Sequence, residues 1–114
     1  MSKIYDLEER TRGFALSVRD LIHNLEKTQA NLEYSRQLIR SSASIGANYI
    51  EANESLGKKD FLMRLRISRK EAKESSYWLS LLEIGPHLED KVSNLKKESI
   101  ELMNIMASII RKCQ

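Results

Sequence analysis

Five polar residues in the middle of the chain include carboxylates and a phenol, which are groups that general acid–base catalysis uses. Asn48 and Glu51 are three positions apart, and Glu71, Glu74 and Tyr77 follow at the same interval. On a helix this interval places neighbouring side chains on one face, so the two groups meet if their helices pack together. Two interpretations stay open, namely a hydrogen-bonded network that fixes bundle or subunit geometry and a general acid–base pair.

Other sequence signatures of catalysis or metal binding are absent. No Glu-x-x-His occurs, so the ligand pattern of di-iron bundles is missing, and His23 and His87 are isolated. Glycine-rich phosphate loops, Gly-x-Ser-x-Gly and Cys-x-x-Cys are also missing. An enzyme is therefore the least supported class, and we expect no metal, no cofactor and no small-molecule substrate.

The positive charge of the chain is concentrated between residues 58 and 73, where seven basic side chains stand against two acidic ones. Basic residues recur there at helical spacing and predict a cationic ridge on one side of a helix. Phosphate backbones bind such ridges through counterion release, although a solvated helix face is the other interpretation. The residues of the predicted ridge are Lys59, Arg66, Arg69, Lys70 and Lys73.

The overall composition indicates one globular domain, residues 1–114, with a net charge of +3. The longest apolar run is far shorter than a membrane span requires, so no membrane association is expected. The N-terminal residues contain no apolar stretch of the kind that signal peptides have. The one cysteine, Cys113, cannot form an internal disulfide, and a cytoplasmic location is the expectation.

The elements that must position these residues are four helices. Gly85-Pro86 is a strong helix stop and Gly57 a weaker one, and no segment alternates as a strand does. The helices are predicted at about residues 4–26, 30–55, 58–84 and 87–113. Short connections between four such helices predict an all-α, antiparallel up-down-up-down bundle.

Each predicted helix carries apolar or small residues at alternating intervals of three and four, the pattern of left-handed, near-aligned packing. The first series is Leu7, Thr11, Phe14, Val18, Leu21 and Leu25. The second is Leu38, Ser42, Ile45, Tyr49, Ala52 and Leu56. Small residues of the second helix, such as Ser41 and Ser42, and of the third, such as Ser68 and Ser75, predict the closest helix contact between those two helices.

Further apolar residues lie off the main series and predict self-association. Trp78 stands beside Tyr77, and Leu81 follows three positions later. Amphipathic aromatic residues of this kind are enriched at protein interfaces. We therefore expect Trp78 and Leu81 to contribute to a subunit interface.

Two blocks of the sequence together resemble a known family. The first reads Gln37-x-x-Arg40-Ser41-x-x-Ser44-Ile45-Gly46-Ala47-Asn48-x-x-Glu51-Ala52. The second reads Asp60-Phe61, then Ile67, then Lys70-Glu71-Ala72-x-Glu74-x-x-Tyr77-Trp78-Leu79-x-Leu81-Leu82. These blocks resemble the signatures of the four-helix-bundle proteins of the ribosomal RNA intervening-sequence family. Position 68 is serine where the family pattern suggests alanine, a departure that packing tolerates.

The resemblance implies properties that the residue spacing does not show. Members form antiparallel bundles that assemble as pentameric rings around a central opening, and some are encoded within bacterial large-subunit ribosomal RNA genes. A related branch comprises accessory proteins of diversity-generating retroelements, whose basic barrel binds nucleic acid and the reverse transcriptase. No enzymatic activity is associated with the fold, and no motif position is assigned a catalytic role.

Three functional hypotheses follow. The leading one is a non-catalytic homo-oligomer, a pentamer by resemblance, that binds RNA or a ribonucleoprotein through its repeated basic surface. The alternative is a protein-interaction or scaffold module without nucleic-acid binding, in which Trp78 and the other apolar surface residues make the contact. The third is an enzyme built on the polar cluster, which requires a solvent-accessible cleft around the carboxylates.

Overall fold

The computed structural model describes residues 6–114 and contains four α-helices in this range. They are α1 (Leu7–His23), α2 (Gln29–Asn53), α3 (Lys58–Leu81) and α4 (Glu89–Cys113), with a short 3-10 helix at Pro86–Leu88 before α4. The described residues form no strand. The prediction of an all-α protein with four helices is confirmed, while the predicted start of the first helix at residue 4 lies outside the described residues.

The turn between α1 and α2 is held by two polar side chains. The Thr28 hydroxyl accepts a hydrogen bond of 3.0 Å from the backbone N–H of Asn31 and so caps α2. The Asn31 amide donates to the carbonyls of Glu26 and Glu83, and its oxygen accepts from the Glu83 N–H at 2.8 Å. Asn31 therefore joins this turn to the segment that follows α3.

Three helices end earlier than the periodicity predicts, and the first of them, α1, ends at His23 and not at residue 26. The helix α3 ends at Leu81 because Leu82 adopts an extended backbone (φ −62°, ψ 140°) ahead of Gly85-Pro86. The helix α2 ends at Asn53, which leaves Leu56 in the connecting turn and fully exposed. The expectation that Leu56 belongs to the packed series is wrong for this reason.

The apolar series of the four helices meet in one core. Every member of the first predicted series, from Leu7 to Leu25, is buried. Leu38, Ile45, Leu65 and Leu102 are completely inaccessible to solvent. Each such side chain contributes about 1.5–3 kcal/mol by leaving water, so this core is the main source of stability.

The contact between α2 and α3 is the most extensive helix pair in the described part of the chain. The hydroxyl oxygens of Ser41 and Ser75 lie 2.8 Å apart across the two helices, and both residues are fully buried. The Ser68 hydroxyl donates to the backbone carbonyl of Ile45 at 2.8 Å. Small side chains let these two helices approach closely, as the sequence predicts.

The helix α1 packs against α2 and is joined to α4 by charge. A β-carbon built on Gly46 of α2 would lie 2.7 Å from the hydroxyl oxygen of Thr11, so glycine is needed for this approach. The Arg10 guanidinium donates to Glu98 at 2.7 Å and to Glu101 at 2.6 Å. These hydrogen bonds and the charge of the two carboxylates raise the pKa of Arg10 further above its ordinary value.

None of the helices within residues 6–114 has both the length and the apolar content that crossing a membrane requires.

Candidate nucleic-acid interface

The outward face of α3 carries the predicted cationic ridge. Lys59, Arg66, Lys70 and Lys73 recur at intervals of seven, four and three, which places them on one side of the helix, and Arg69 lies beside them. All five are exposed, and none forms a salt bridge with a described carboxylate. The sequence left open whether this ridge is accessible, and on the isolated chain it faces solvent.

Tyr77 extends this ridge by one more turn. It lies four residues after Lys73, and 57% of its side chain is exposed. Its ring packs edge-on against Trp78, with centroids 5.2 Å apart and an interplanar angle of 62°. Its hydroxyl makes no hydrogen bond with a described residue, so the structure places Tyr77 apart from the polar cluster to which the sequence assigned it.

A groove of about 320 Å³ runs beside Tyr77 between α3 and α4. One wall carries Lys73 and Tyr77, and the opposite wall carries Lys96, Ile100 and Met103. Ser76 and Ser80 complete the α3 side. The two lysines thus come from different helices to one site, an arrangement that the spacing within α3 could not reveal.

A second depression, of about 330 Å³, continues the groove along α4. It shares Lys96 and Ile100 with the first and adds Lys97, while Glu89 lines its other end. Lys96 and Lys97 form no salt bridge with a described carboxylate. The basic surface therefore extends from α3 across to α4.

The predicted polar cluster divides into two parts, of which the first is centred on Arg40. Arg40 Nη1 donates to Glu71 Oε2 at 3.3 Å, and Arg40 Nη2 lies 3.3 Å from Glu71 Oε1 and 3.2 Å from Glu74 Oε1. The Glu71 side chain is only 7% exposed, whereas that of Glu74 is 38% exposed. Arg40 thus joins the two carboxylates of α3 to α2. Arg40 belongs to the first signature block, but its own role was missed.

The second part is centred on Asn48. Arg64 donates to Asn48 Oδ1 at 3.1 Å, and Asn48 Nδ2 donates to the Ser44 carbonyl and hydroxyl, each at 2.9 Å. Glu51 is exposed, and its carboxylate makes no hydrogen bond with a described residue; it lines a shallow depression with Arg64 and Asp60. Glu71 and Glu74 therefore meet at Arg40, but the structure does not bring either carboxylate together with Asn48 or Glu51.

This arrangement offers little of what the enzyme hypothesis requires. Glu71 is buried and paired with Arg40, so its carboxylate is not freely accessible to solvent. Within residues 6–114 no group of three or more histidine, cysteine, aspartate or glutamate side chains is placed to hold a metal ion. The hydrogen bonds from Arg40 and Arg64 join α2 to α3, which is a structural contribution.

Trp78 and Leu81 are both half-buried on the isolated chain. Trp78 packs against the core and stacks on Tyr34, with centroids 6.3 Å apart. Its Nε1 is inaccessible and has no hydrogen-bond partner among the described residues. A role of Trp78 and Leu81 in a subunit interface stays a prediction.

Comparisons with known proteins give the family. The model of the family described as 23S rRNA-intervening sequence protein matches residues 5–108. A solved structure, of a protein with unknown function from the S23 ribosomal protein family of Bacteroides thetaiotaomicron, has a TM-score of 0.83 and 32% sequence identity, and the match covers 96% of this chain and 99% of that chain. No curated protein matches. The resemblance seen in the two signature blocks is confirmed, and the chain belongs to the 23S rRNA-intervening sequence protein family.

Proposed function

We propose that this protein is a non-catalytic, cytoplasmic homo-oligomer that binds RNA or a ribonucleoprotein through the basic face of α3. The observation that carries the proposal is the accessibility of that face. Five basic side chains project from it, and no described carboxylate neutralises them. Glu71 and Glu74, which are close in sequence, are paired instead with Arg40 of α2.

The proposal includes an antiparallel up-down-up-down bundle that assembles as a pentameric ring. The order of contacts supports the antiparallel arrangement, because positions 41, 45 and 48 of α2 meet positions 75, 68 and 64 of α3. Large apolar side chains that remain exposed support subunit contacts, among them Leu32 and Ile39. A ring repeats the basic face on every subunit, so several weak contacts act on one RNA molecule.

The experiment that tests the proposal reverses the charge of the ridge. Lys59→Glu combined with Arg66→Glu removes salt-dependent RNA binding, because phosphate contacts supply this affinity. Lys27→Glu with Lys112→Glu is the matched control, since both residues are exposed, lie outside α3 and change the net charge equally. RNA affinity that survives the ridge reversal, or that falls equally in the control, contradicts the proposal.

A second candidate function, a scaffold that binds another protein, has one observation in its favour. A groove of about 440 Å³ between α1 and α2 has an apolar floor that includes Ala15, Ala43, Ala47 and Ile50. Ala47→Arg fills this groove with a charged side chain without touching the basic ridge. If Ala47→Arg abolishes binding of a protein partner and leaves the RNA affinity unchanged, the scaffold function is favoured. If the ridge reversal abolishes RNA binding and nothing else, the first proposal is favoured.

A further inference from the structure

We propose that the groove between α3 and α4 holds one nucleotide of a single-stranded nucleic acid, with its base stacked on Tyr77 and its flanking phosphates on Lys73 and Lys96. This inference rests on the proposed function and names the substrate class of the same surface. It assigns a role to Tyr77, which the polar cluster does not use, and to two lysines on different helices.

The position of Tyr77 supports stacking. Tyr77 is more than half exposed, so its ring is accessible from solvent. Trp78 contacts the ring at an interplanar angle of 62° and is not stacked parallel on it. A solvent-exposed aromatic ring is the kind of platform on which single-stranded bases stack, and such stacking is tolerant of sequence.

The charges around the groove suit a phosphate backbone. Lys73 and Lys96 stand on opposite walls, and the neighbouring depression adds Lys97. No carboxylate is among the described residues that line the groove at Tyr77, and Glu89 is the one carboxylate among those that line the second depression. Residues 1–5, which lie outside the described range, contain no acidic side chain. A protein partner with a mixed surface gains less from this arrangement than a polyanion does.

The groove also discriminates between single strands and duplexes. Its volume of about 320 Å³ is at the lower end of the range for small-ligand pockets, which suits one planar base rather than a helix. Bases within a duplex are already stacked on each other and cannot reach a side chain in a groove. The ridge on α3 contacts phosphates of either form, whereas the Tyr77 groove accepts only an unpaired base.

The test measures the affinity of the full-length protein for a labelled oligouridylate and for a blunt RNA duplex of the same length. Tyr77→Ser weakens oligouridylate binding about tenfold, the effect of losing one aromatic stacking partner, and leaves duplex binding unchanged. Tyr77→Phe keeps the ring and retains single-strand affinity. A single-stranded oligodeoxynucleotide of the same length establishes whether the groove also accepts DNA. Thermal unfolding of both variants verifies that they fold.

Lysine variants test the phosphate contacts separately. Lys73→Gln with Lys96→Gln lowers the affinity for the oligouridylate. It also reduces the slope of log affinity against log salt by the amount that about two phosphate contacts contribute. Lys112→Gln is the control, because it lies on the same helix as Lys96 but about 24 Å further along it. An equal loss in the control and the double variant overturns the assignment of these lysines.

The outcomes separate this inference from the proposed function. If the unmodified protein binds neither probe, both fail. If it binds both probes in a salt-dependent way and Tyr77→Ser changes neither affinity, the proposed function stands and the stacking site is overturned. If Tyr77→Ser lowers the solution mass of the protein instead, the groove is covered by a second copy of the chain and the inference is wrong.

Discussion

The Ser68 hydroxyl on α3 donates a hydrogen bond of 2.8 Å to the backbone carbonyl of Ile45 on α2. A side chain of one helix thus reaches the backbone of the other directly, and both residues are completely inaccessible to solvent. Helices pack this closely only where the facing side chains are small. About two turns away, the hydroxyls of Ser41 and Ser75 bond each other across the same two helices. Ser41 of the first signature block is therefore a packing residue.

Substitutions at Ser68 test this packing. Ser68→Ala removes one hydrogen bond without changing the volume much, so it lowers the free energy of unfolding by about 1 kcal/mol. Ser68→Leu forces the helices apart and lowers it by about 1–3 kcal/mol beyond that. Chemical denaturation of both variants provides the values. Equal stability of Ser68→Leu and Ser68→Ala would show that the contact is looser than described.

Two glycines within helices have opposite expected responses to alanine. Gly46→Ala places a methyl group 2.7 Å from the Thr11 hydroxyl oxygen, which is itself bonded to the Leu7 carbonyl, and so destabilises the α1–α2 contact by about 1–3 kcal/mol. Gly13→Ala meets no atom within 4 Å and stabilises α1 by about 0.5–1 kcal/mol. Thermal unfolding distinguishes the two; a stabilising Gly46→Ala would contradict the close approach.

Arg40 is expected to be coupled unequally to its two carboxylate partners. Glu71 is buried, and Glu74 is more than one-third exposed, so water screens the second pair more strongly. A double-mutant cycle with Arg40→Gln and Glu71→Gln should give a coupling energy above about 1 kcal/mol. The cycle with Glu74→Gln should give about 0.2–1 kcal/mol. Coupling that is larger for Glu74 would be inconsistent with this geometry.

The parts of the fold that depend on helical periodicity could be predicted from the sequence. The first series, from Leu7 to Leu25, is buried at every position, because its members up to Leu21 follow one face of α1 and Leu25 packs on the core just beyond the end of that helix. Gly85-Pro86 identified the connection before α4, because proline fixes its own backbone angle and has no N–H to donate within a helix. Leu56 fits the same periodicity and is nevertheless exposed, because α2 ends at Asn53. Periodicity alone does not show where a helix ends.

The candidate site was only partly predictable. The basic residues of α3 share a face by spacing alone, but Lys96 comes from another helix and reaches the groove through tertiary packing. Long arginine side chains determine which polar groups meet, and spacing within a helix does not predict their reach. Glu71 and Glu74 are therefore paired with Arg40, whereas Asn48 accepts a hydrogen bond from Arg64. Tyr77 could have been assigned to the basic face, since it continues the interval from Lys73.

The predicted subunit interface is tested better through Leu81 than through Trp78. Trp78 stacks on Tyr34 and packs against the core, so Trp78→Ala also weakens the single chain. Leu81→Asp changes a half-buried side chain near the end of α3 and should lower the oligomer mass while helicity by circular dichroism is retained. Sedimentation velocity measures the mass. An unchanged oligomer would remove Leu81 from the interface.

RNA binding by a repeated basic surface can be tested by light scattering of the purified protein with and without RNA at a low and a high salt concentration. We expect a protein oligomer that persists at both concentrations and an RNA complex whose added mass is lost at high salt. A monomer that gains no mass with RNA at low salt, or a complex that is indifferent to salt, would contradict it.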